Sequence, residues 1–187
     1  MSGRKRFFIE KLNGETEVEL AGEEFIHAKT VQRVEEGTEI TLLDGSGKEY
    51  TAIVAKVGKH SLTAHITGES VGDKEPKTFI YLLCGALKGD KTELVVQKAT
   101  ELGVGKIGVF SSEYCAAFMN ANKMERLNKV AREAAKQCMR SRAPEVVYFD
   151  NFKDALESAK DIDNKIFACE FAEKSDCDIS TIKGGTA

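Results

Sequence analysis

The sequence predicts two domains, a small N-terminal β-barrel and then an α/β domain built on a parallel sheet. Short β-rich runs separated by Gly-containing turns fill the first part of the chain, as in small barrels. Strand-like and helix-like segments alternate in the rest, as in βαβ units. The polar segment 72–76, which ends in a proline, separates the two patterns. We therefore place the domains at 1–72 and 76–187.

The predicted barrel consists of several short strands and one short helix. Asn13-Gly14 is a hairpin signal, and it separates the first two β-rich runs. The helix is predicted from apolar residues at roughly helical spacing, and Gly37 ends it. The predicted strands span 6–12, 16–20, 39–43, 49–57 and 61–67, and the helix spans 23–34.

The α/β domain begins with a continuous apolar run at 78–86, which is typical of a strand buried on both faces. Further strands are predicted at 106–110, 146–149 and 165–169, and helices at 90–102, 124–142 and 152–160. This alternation indicates a parallel sheet with right-handed crossovers. Residues 176–187 contain one weak helical turn. We therefore expect a truncation after residue 187, not a natural terminus.

The composition is that of an ordinary globular protein. Of 187 residues, 42% are hydrophobic and 30% are charged. The apolar runs are far shorter than a membrane span, so we expect a cytoplasmic protein. The five cysteines are odd in number and form no CxxC pair, and the three histidines lack ligand spacing. We therefore expect neither a disulfide framework nor a metal site.

The charge is distributed unevenly along the chain. The net charge is −3, yet residues 76–142 hold 12 basic and 6 acidic side chains. The flanking parts are both acidic, with 10 basic and 14 acidic residues before position 76 and 5 and 10 after position 142. This asymmetry indicates a polyanionic partner for the middle of the chain. A solvated basic helix face would give the same count.

The helix predicted at 90–102 has signals at both ends. Asp90 is placed as the N-cap with Glu93 three residues on, which is the pattern of a capping box. Gly103 suits the left-handed position after the helix, and Val104 follows as its apolar partner. Because an acidic cap would occupy the N-terminal amides, we expect no phosphate to bind there. Neither a GxGxxG nor a P-loop motif is present.

The helix predicted at 124–142 carries the candidate functional residues. Glu133, Gln137 and Arg140 are spaced i, i+4 and i+7, so they would line one strip of that helix. They could form a hydrogen-bonding array, in which Gln pairs with a base edge and Arg holds an oxygen in its fork. Alternatively, the strip is a solvated face on which Glu133 contacts Gln137 or Arg140. The helix dipole alone would favour Arg140 and Arg142 at the C-terminus.

Two segments carry a family resemblance. They are KGDKTELVVQKATELGV at 88–104 and REAAKQCMRSRAPEV at 132–146, with a weaker match at 27–33 and 43–45. These residues resemble the ribosomal RNA small subunit methyltransferase E family. The resemblance implies a PUA-like β-barrel, and then a SPOUT-class methyltransferase domain closed by a trefoil knot. It also implies a homodimer that uses S-adenosylmethionine to methylate N3 of a uridine in 16S ribosomal RNA.

The resemblance also implies cofactor segments that these 187 residues do not contain. The family has a GPEGG segment and a later LG…LR.ETA segment, and neither occurs in this sequence. We therefore expect the knot region and most of the cofactor pocket to be missing, and the chain as given to be inactive. Cys169 and Glu170 are predicted as a remaining rim of that pocket.

The resemblance and the residue chemistry together give a set of predicted site residues. Arg140 would stabilise negative charge on the base or an adjacent phosphate, Gln137 would orient the base edge, and Glu133 would hold Arg140 or act as base. The target base would have to be unstacked. The resemblance implies 16S ribosomal RNA in the small ribosomal subunit as the partner, and we expect neither DNA nor a membrane to be involved. The predicted RNA contacts are Arg4, Arg6, Lys29, Arg33, Lys88, Lys98 and Arg142.

Three alternatives remain open from the sequence. The chain could be an RNA-binding module without catalysis, or a SPOUT methyltransferase that acts on another RNA base. It could also be an α/β enzyme for a small molecule, but the missing phosphate loop and the β-barrel partner count against that class.

Overall fold

The computed structural model describes residues 5–113 and 119–168. By internal contacts the chain divides into two units. The first unit contains the described residues up to Glu75 together with Ala135–Ala143, and the second contains Pro76–Ala134 and the described residues from Pro144 onward. The first boundary between the units, from Glu75 to Pro76, falls within the segment 72–76 that was predicted as a linker. The return of Ala135–Ala143 to the first unit was not predicted.

The first unit is built on a mixed five-stranded sheet. Its strands are β1 (Arg6–Phe8), β2 (Glu17–Ala21), β3 (Glu39–Leu43), β4 (Lys48–Val57) and β5 (Ser61–Val71). They are ordered β1-β3-β4-β5-β2. The β1 and β3 strands are parallel, whereas the other neighbours are antiparallel. The three strands predicted at 39–43, 49–57 and 61–67 are confirmed, the last with a longer C-terminal end.

The hairpin predicted around Asn13-Gly14 is wrong. Strands β1 and β2 occupy opposite edges of the strand order, so they are not neighbours. Gly14 has a φ of +105°, so the chain does turn there, but the strands on either side pair elsewhere. Tertiary burial decides the pairing, since Phe7 is fully buried and lies opposite Leu42 of β3.

The helix predicted at 23–34 forms as two short pieces. Helix α1 spans Gly22–Ile26, and a π-helical segment spans His27–Val31. The wider turn is visible in the bond from Gln32 N to the carbonyl of His27 at 3.1 Å. These pieces bury Phe25 and Ala28 against the sheet. The core of the unit comprises Phe7, Leu20, Phe25, Ala28, Val34, Ile40, Leu42, Tyr50, Ala52, Val54, Leu62 and Ala64.

The second unit contains the predicted parallel sheet. Its strands are β6 (Tyr81–Gly85), β7 (Lys106–Phe110) and β8 (Glu145–Phe149), in that order and all parallel. The central strand β7 is the most buried, with Ile107 and Val109 fully covered. Strand β6 is half-buried and lies at the edge of the sheet formed by the described residues, so the predicted burial on both faces is wrong. Residues 165–168 form no strand, and Cys169 lies outside the described residues.

Among the described residues of this unit, three helices accompany the sheet. They are α2 (Lys91–Glu101), α3 (Ala121–Gln137) and α4 (Phe152–Ser158). Asn151 caps α4 by accepting a bond from Asp154 N at 2.9 Å. No helix within 5–113 and 119–168 is both long and apolar enough to cross a membrane. The core of the unit comprises Ala86, Val96, Ala99, Val104, Ile107, Val109, Met119, Leu127, Ala131 and Val146.

The C-terminal end of α2 is as predicted. Gly103 has a φ of +93°, and its N–H donates to Thr100 O at 3.0 Å. The N–H of Val104 donates to Ala99 O at 2.9 Å, which completes a Schellman motif. Val104 is buried beside Ala99 in the core.

The N-terminal end of α2 differs from the prediction. Asp90 does occupy the N-cap position, but its side chain makes no capping bond. Glu93 pairs with Arg126 instead, with 2.7 Å between Oε1 and Nε. The capping box is therefore wrong, and the argument that it fills the N-terminal amides falls with it. The helix entry is fixed by Thr92 Oγ1, which accepts from Leu87 N at 3.0 Å.

Helix α3 ends at Gln137 and does not continue to residue 142 as predicted. Met139 has a φ of +66°, in the left-handed region that a bulky residue rarely adopts. Its N–H donates to Lys136 O at 3.3 Å, and Arg140 N donates to Ala135 O at 2.9 Å. This is a second Schellman motif, with methionine in the position usually taken by glycine.

Candidate functional site

Residues 138–142, here called the 138–142 turn, follow α3 and belong to the first unit. Glu75 binds this turn through both carboxylate oxygens. Oε1 accepts from Ser141 N at 3.1 Å and Arg142 N at 3.0 Å. Oε2 accepts from Arg140 Nε at 3.2 Å and Nη2 at 2.8 Å. Because the Arg140 and Glu75 side chains are only 4% and 19% exposed, these are largely desolvated, charge-assisted bonds.

Arg6 binds the same turn from its carbonyl side. Its guanidinium forms a fork on Glu49, at 3.0 Å and 2.7 Å. Nη2 also donates to the carbonyls of Met139, at 3.4 Å, and Arg140, at 3.2 Å. Arg6 is 4% exposed, and its buried Nε has no hydrogen-bond partner. A buried guanidinium has no surface to offer to RNA, so the predicted RNA contact gives way to a structural role.

Two glycines form the surface on which the 138–142 turn lies. Gly72 N donates to Gly47 O at 2.9 Å. A Cβ at Gly72 would lie 2.7 Å from Ser141 Cβ, and one at Gly47 would lie 2.7 Å from Arg142 Nη2. Only glycine allows so close an approach. The Arg142 guanidinium donates to the carbonyl of Ser46 beside this surface.

The loop that carries Ser46 is held by Asp44. Asp44 Oδ1 accepts from Ser46 N at 2.9 Å and from Ser46 Oγ at 2.5 Å. Burial raises the pKa of the Asp44 carboxyl, but hydrogen bonds from Ser46, Leu12 and Tyr50 outweigh it, so that pKa lies below its ordinary value. The ionised form of Asp44 therefore supports this loop.

The last turn of α3 is also anchored in the first unit. Lys136 is 7% exposed, and its Nζ lies 3.0 Å and 3.3 Å from the two carboxylate oxygens of Glu24. It also lies 3.3 Å from His27 Nδ1. A buried ammonium needs such partners. They fix the helix end just before the 138–142 turn.

The three predicted catalytic residues do not share one helical strip. Gln137 is exposed and is the last residue of α3. Glu133 is half-buried and belongs to the second unit, whereas Gln137 and Arg140 belong to the first. Arg140 lies beyond the helix end, buried against Glu75. Because the helix ends at Gln137, before Arg140, the i, i+4 and i+7 spacing does not place the three side chains on one face of a helix.

The predicted RNA contacts of the first unit include three exposed cations, Lys29, Arg33 and Arg142. Lys29 Nζ donates to Gly58 O at 3.2 Å and lies 5.3 Å from the centroid of the Phe25 ring. Arg33 has a φ of +49°. Arg4 lies outside the described residues.

The second unit contributes two exposed cations, Lys88 and Lys98. Lys98 pairs with Glu101 at 2.8 Å, three residues along α2. Lys88 lies in the loop after β6, at the carboxyl end of that strand. The predicted cofactor rim, Cys169 and Glu170, lies outside the described residues.

The carboxyl edge of the parallel sheet carries polar groups in the second unit. Ser111 Oγ and Tyr148 Oη lie 2.7 Å apart, and Asp150 is exposed directly after β8. Ligands of open parallel sheets bind at this edge. Within the described ranges, no three His, Cys, Asp or Glu side chains are grouped so that they could hold a metal ion.

Sequence reasoning missed Glu75. It lies in the segment assigned to the linker, and its contacts are 65 to 67 positions away along the chain. No periodicity or spacing connects such distant positions. The acidic residue next to Pro76 was the available signal, and alone it does not name a partner.

Comparison with known proteins supplies the family. Residues 74–186 match the model of an RNA methyltransferase domain, and residues 20–67 match that of an RNA methyltransferase PUA domain. The ribosomal RNA small subunit methyltransferase E of Bacillus subtilis is 29% identical over 178 residues, which are 91% of this chain and 70% of that protein. Its counterpart from Rickettsia conorii is 28% identical, over 84% of this chain and 64% of that protein.

Solved structures agree with these matches. A Legionella pneumophila protein described as a methyltransferase, solved with bound SAM, has a TM-score of 0.82 at 27% identity, over 91% of this chain and 72% of that one. The Neisseria gonorrhoeae ribosomal RNA small subunit methyltransferase E, bound to S-adenosyl methionine, has a TM-score of 0.74 at 30% identity, over 82% and 65%. The chain therefore spans roughly two thirds of the length of each of these four relatives. It belongs to the ribosomal RNA small subunit methyltransferase E family of RNA methyltransferases, with a PUA-like domain before the methyltransferase domain.

Proposed function

We propose that the protein carrying this chain transfers a methyl group from S-adenosylmethionine to N3 of a uridine in 16S ribosomal RNA. The observation that carries the proposal is the match of residues 74–186 to the RNA methyltransferase domain. Two neighbours with 27% and 30% identity contain the cofactor. The two-domain arrangement, with a PUA-like domain preceding the transferase, suits an enzyme whose substrate is a folded RNA.

The RNA would be held by exposed cations on each unit. Lys29, Arg33 and Arg142 of the first unit are exposed, as are Lys88 and Lys98 of the second. Phosphate contacts fix position without specifying sequence. The excess of 12 basic over 6 acidic residues in 76–142 supports the assignment of Lys88, Lys98 and Arg142.

The base would be oriented by polar side chains of α3. Gln137 is exposed, and its amide N–H can donate to a uracil carbonyl beside N3, which leaves N3 itself open to the methyl group. Glu133 would act as the base that accepts the N3 proton as the bond between N3 and the methyl group forms. Because Arg140 is buried on Glu75, its contribution is electrostatic support and not a bond to a phosphate.

The carboxyl edge of the parallel sheet would form one side of the cofactor site. This edge offers three hydrogen-bond acceptors, the hydroxyls of Ser111 and Tyr148 and the carboxylate of Asp150. They can accept from the ribose hydroxyls and the ammonium group of S-adenosylmethionine, so they fit this cofactor. When bound, the cofactor supplies an electrophilic methyl group. Cys169 and Glu170 are proposed as part of the rim.

The finer architecture is also part of the proposal. We propose a SPOUT-class domain with a trefoil knot, a cytoplasmic homodimer, and a cofactor site completed by GPEGG-type and LG…LR.ETA-type segments. Those segments do not occur in these 187 residues, so the chain alone should bind little cofactor and transfer no methyl group. Calorimetric titration of the cofactor into the 187-residue chain checks this, and binding at micromolar affinity would contradict it.

The test of function is a product assay. The protein that carries this chain is incubated with S-adenosylmethionine and small-subunit RNA, either free or in the assembled subunit, and the nucleosides are analysed by mass spectrometry. We expect 3-methyluridine. Methylation of another base would indicate a different specificity within the family. RNA binding without methylation would indicate a binding module. Either result overturns the proposal.

A further inference from the structure

Glu75 makes more polar contacts with the 138–142 turn than an ion pair requires. Its carboxylate binds one guanidinium and two consecutive main-chain amides, those of Ser141 and Arg142. Arg6 binds the two preceding carbonyls, at 3.4 Å and 3.2 Å. A carboxylate and a guanidinium thus hold four successive residues of main chain from both sides. We call Arg6 and Glu75 the clamp.

The contacts of the clamp are largely desolvated, which restricts movement of the turn. Arg6 and Arg140 are each 4% exposed, so moving the turn would leave charges desolvated and unpaired. Met139 adopts a φ of +66°, and such a conformation persists where the surroundings enforce it. A Cβ at Gly72 would collide with Ser141, and one at Gly47 with the Arg142 guanidinium, so glycine at both positions lets the turn lie this close.

The turn presents Arg142 to solvent. Arg140 is neutralised by Glu75 and Arg6 by Glu49, whereas Arg142 is exposed and directed by its main chain and by Ser46 O. A guanidinium held in place loses less entropy when it binds a phosphate than a free side chain does. Glu75 binds the main-chain amide of Arg142, and the Ser46 carbonyl binds its guanidinium, so together they restrict the position of this cation.

We propose that Glu75 is a positioning residue for the RNA substrate. By holding the amides of Ser141 and Arg142 it sets Arg142 against an RNA phosphate, and Arg6 assists from the carbonyl side. This inference rests on the proposed function, because it assumes that the partner of Arg142 is RNA. In this proposal Glu75 and Arg6 act through Arg142 and do not themselves contact the RNA.

A double-mutant cycle tests the proposal in the protein that carries this chain. The variants are Glu75→Gln, Arg142→Ala and the pair together, measured by KM for RNA, kcat, and the dependence of RNA affinity on salt. Arg142→Ala should weaken RNA binding about tenfold and lower the salt slope by about one. Glu75→Gln should raise KM about fivefold with kcat within about twofold, and it should have less than a twofold effect when Arg142 is already alanine.

Two further variants separate positioning from general damage. Gly72→Ala displaces Ser141 sterically without removing a charge, and it should raise KM as Glu75→Gln does. Glu69→Gln removes the same charge from the exposed Lys48–Glu69 pair of the first unit and should leave KM unchanged. Thermal unfolding of each variant establishes that it is folded.

The outcomes separate the inference from the function on which it rests. A wild-type protein that methylates RNA, with an effect of Glu75→Gln that is equal in both backgrounds or absent, overturns the positioning role alone. A wild-type protein that neither binds nor methylates RNA overturns the proposed function and the inference with it.

Discussion

The C-terminal ends of α2 and α3 have the same geometry but different causes. Both are Schellman motifs with a residue in the left-handed region, at Gly103 (φ +93°) and at Met139 (φ +66°). At Gly103 the residue adopts this conformation without steric penalty. At Met139 the conformation is disfavoured, by roughly 1–2 kcal/mol for an ordinary residue. The second end therefore depends on contacts made elsewhere.

Those contacts are the clamp, which joins the 138–142 turn to residues more than 60 positions away. The difference shows that a helix end can be specified locally, by one glycine, or remotely, by buried charges. The local end is structural. The remote end carries an exposed arginine, and we place function there.

The largest effect is expected from Glu75→Ala. The change leaves the buried guanidinium of Arg140 without its carboxylate and two main-chain amides without their acceptor. Loss of one partner of a buried pair costs about 3–5 kcal/mol, to be measured by urea unfolding. The matched control is Glu101→Ala at the end of α2, whose Lys98 pair is exposed and should contribute less than about 1 kcal/mol. Equal losses of unfolding free energy in Glu75→Ala and Glu101→Ala would show that the end of α3 depends no more on its carboxylate contact than the end of α2 does.

Gly103→Ala should destabilise the end of α2 by about 1–3 kcal/mol. Alanine would have to adopt a φ of +93°, and its Cβ would meet the ring of Pro76. The measurement is urea unfolding of the variant beside wild type. An unchanged free energy of unfolding would mean that the end of α2, like that of α3, is stabilised by residues distant in sequence and not by Gly103.

Met139→Gly is the reciprocal change and should not destabilise the protein. Glycine relieves the left-handed strain, while the unfolded chain gains entropy and the half-buried side chain is lost. The net effect should be between zero and a gain of about 1 kcal/mol. A loss above about 1 kcal/mol by the same unfolding measurement would show that the Met139 side chain, and not the clamp, determines the conformation.

The smallest effect concerns Asp44, which holds the loop under Arg142. Its pKa is lowered in the folded protein, so its ionisation stabilises the fold above the ordinary carboxyl pKa of about 3.9. That contribution is lost as the pH falls through the lowered value. The difference in unfolding free energy between wild type and Asp44→Asn should therefore be present at neutral pH and vanish in acid. A difference in unfolding free energy that grows in acid would contradict a lowered pKa of Asp44 in the folded protein.

The sequence predicts those elements whose cause is local. The parallel strands at 106–110 and 146–149 and the end of α2 at Gly103 follow from apolar runs and one glycine. The failures share a cause, since partners distant in sequence decide them. Asn13-Gly14 signals a turn, but burial of Phe7 against β3 determines the pairing.

The candidate site follows the same division. Residue chemistry and the family resemblance single out Arg140 and Gln137, and the structure describes both near the end of α3. The sequence cannot say that Arg140 is buried or that Glu75 binds it. Both facts depend on Ala135–Ala143 belonging to the first unit. No periodic pattern in the sequence indicates that assignment.

Hydrogen exchange of individual main-chain amides tests the central claim, that the clamp holds the second helix end. The amides of Arg140, Ser141 and Arg142 are compared with those of Gly103 and Val104 in wild type and in Glu75→Ala. We predict protection at both ends in wild type. In the variant, protection should be lost by tenfold or more at residues 140–142 and unchanged at 103–104. Undiminished protection at Ser141 and Arg142 in the variant would contradict the account.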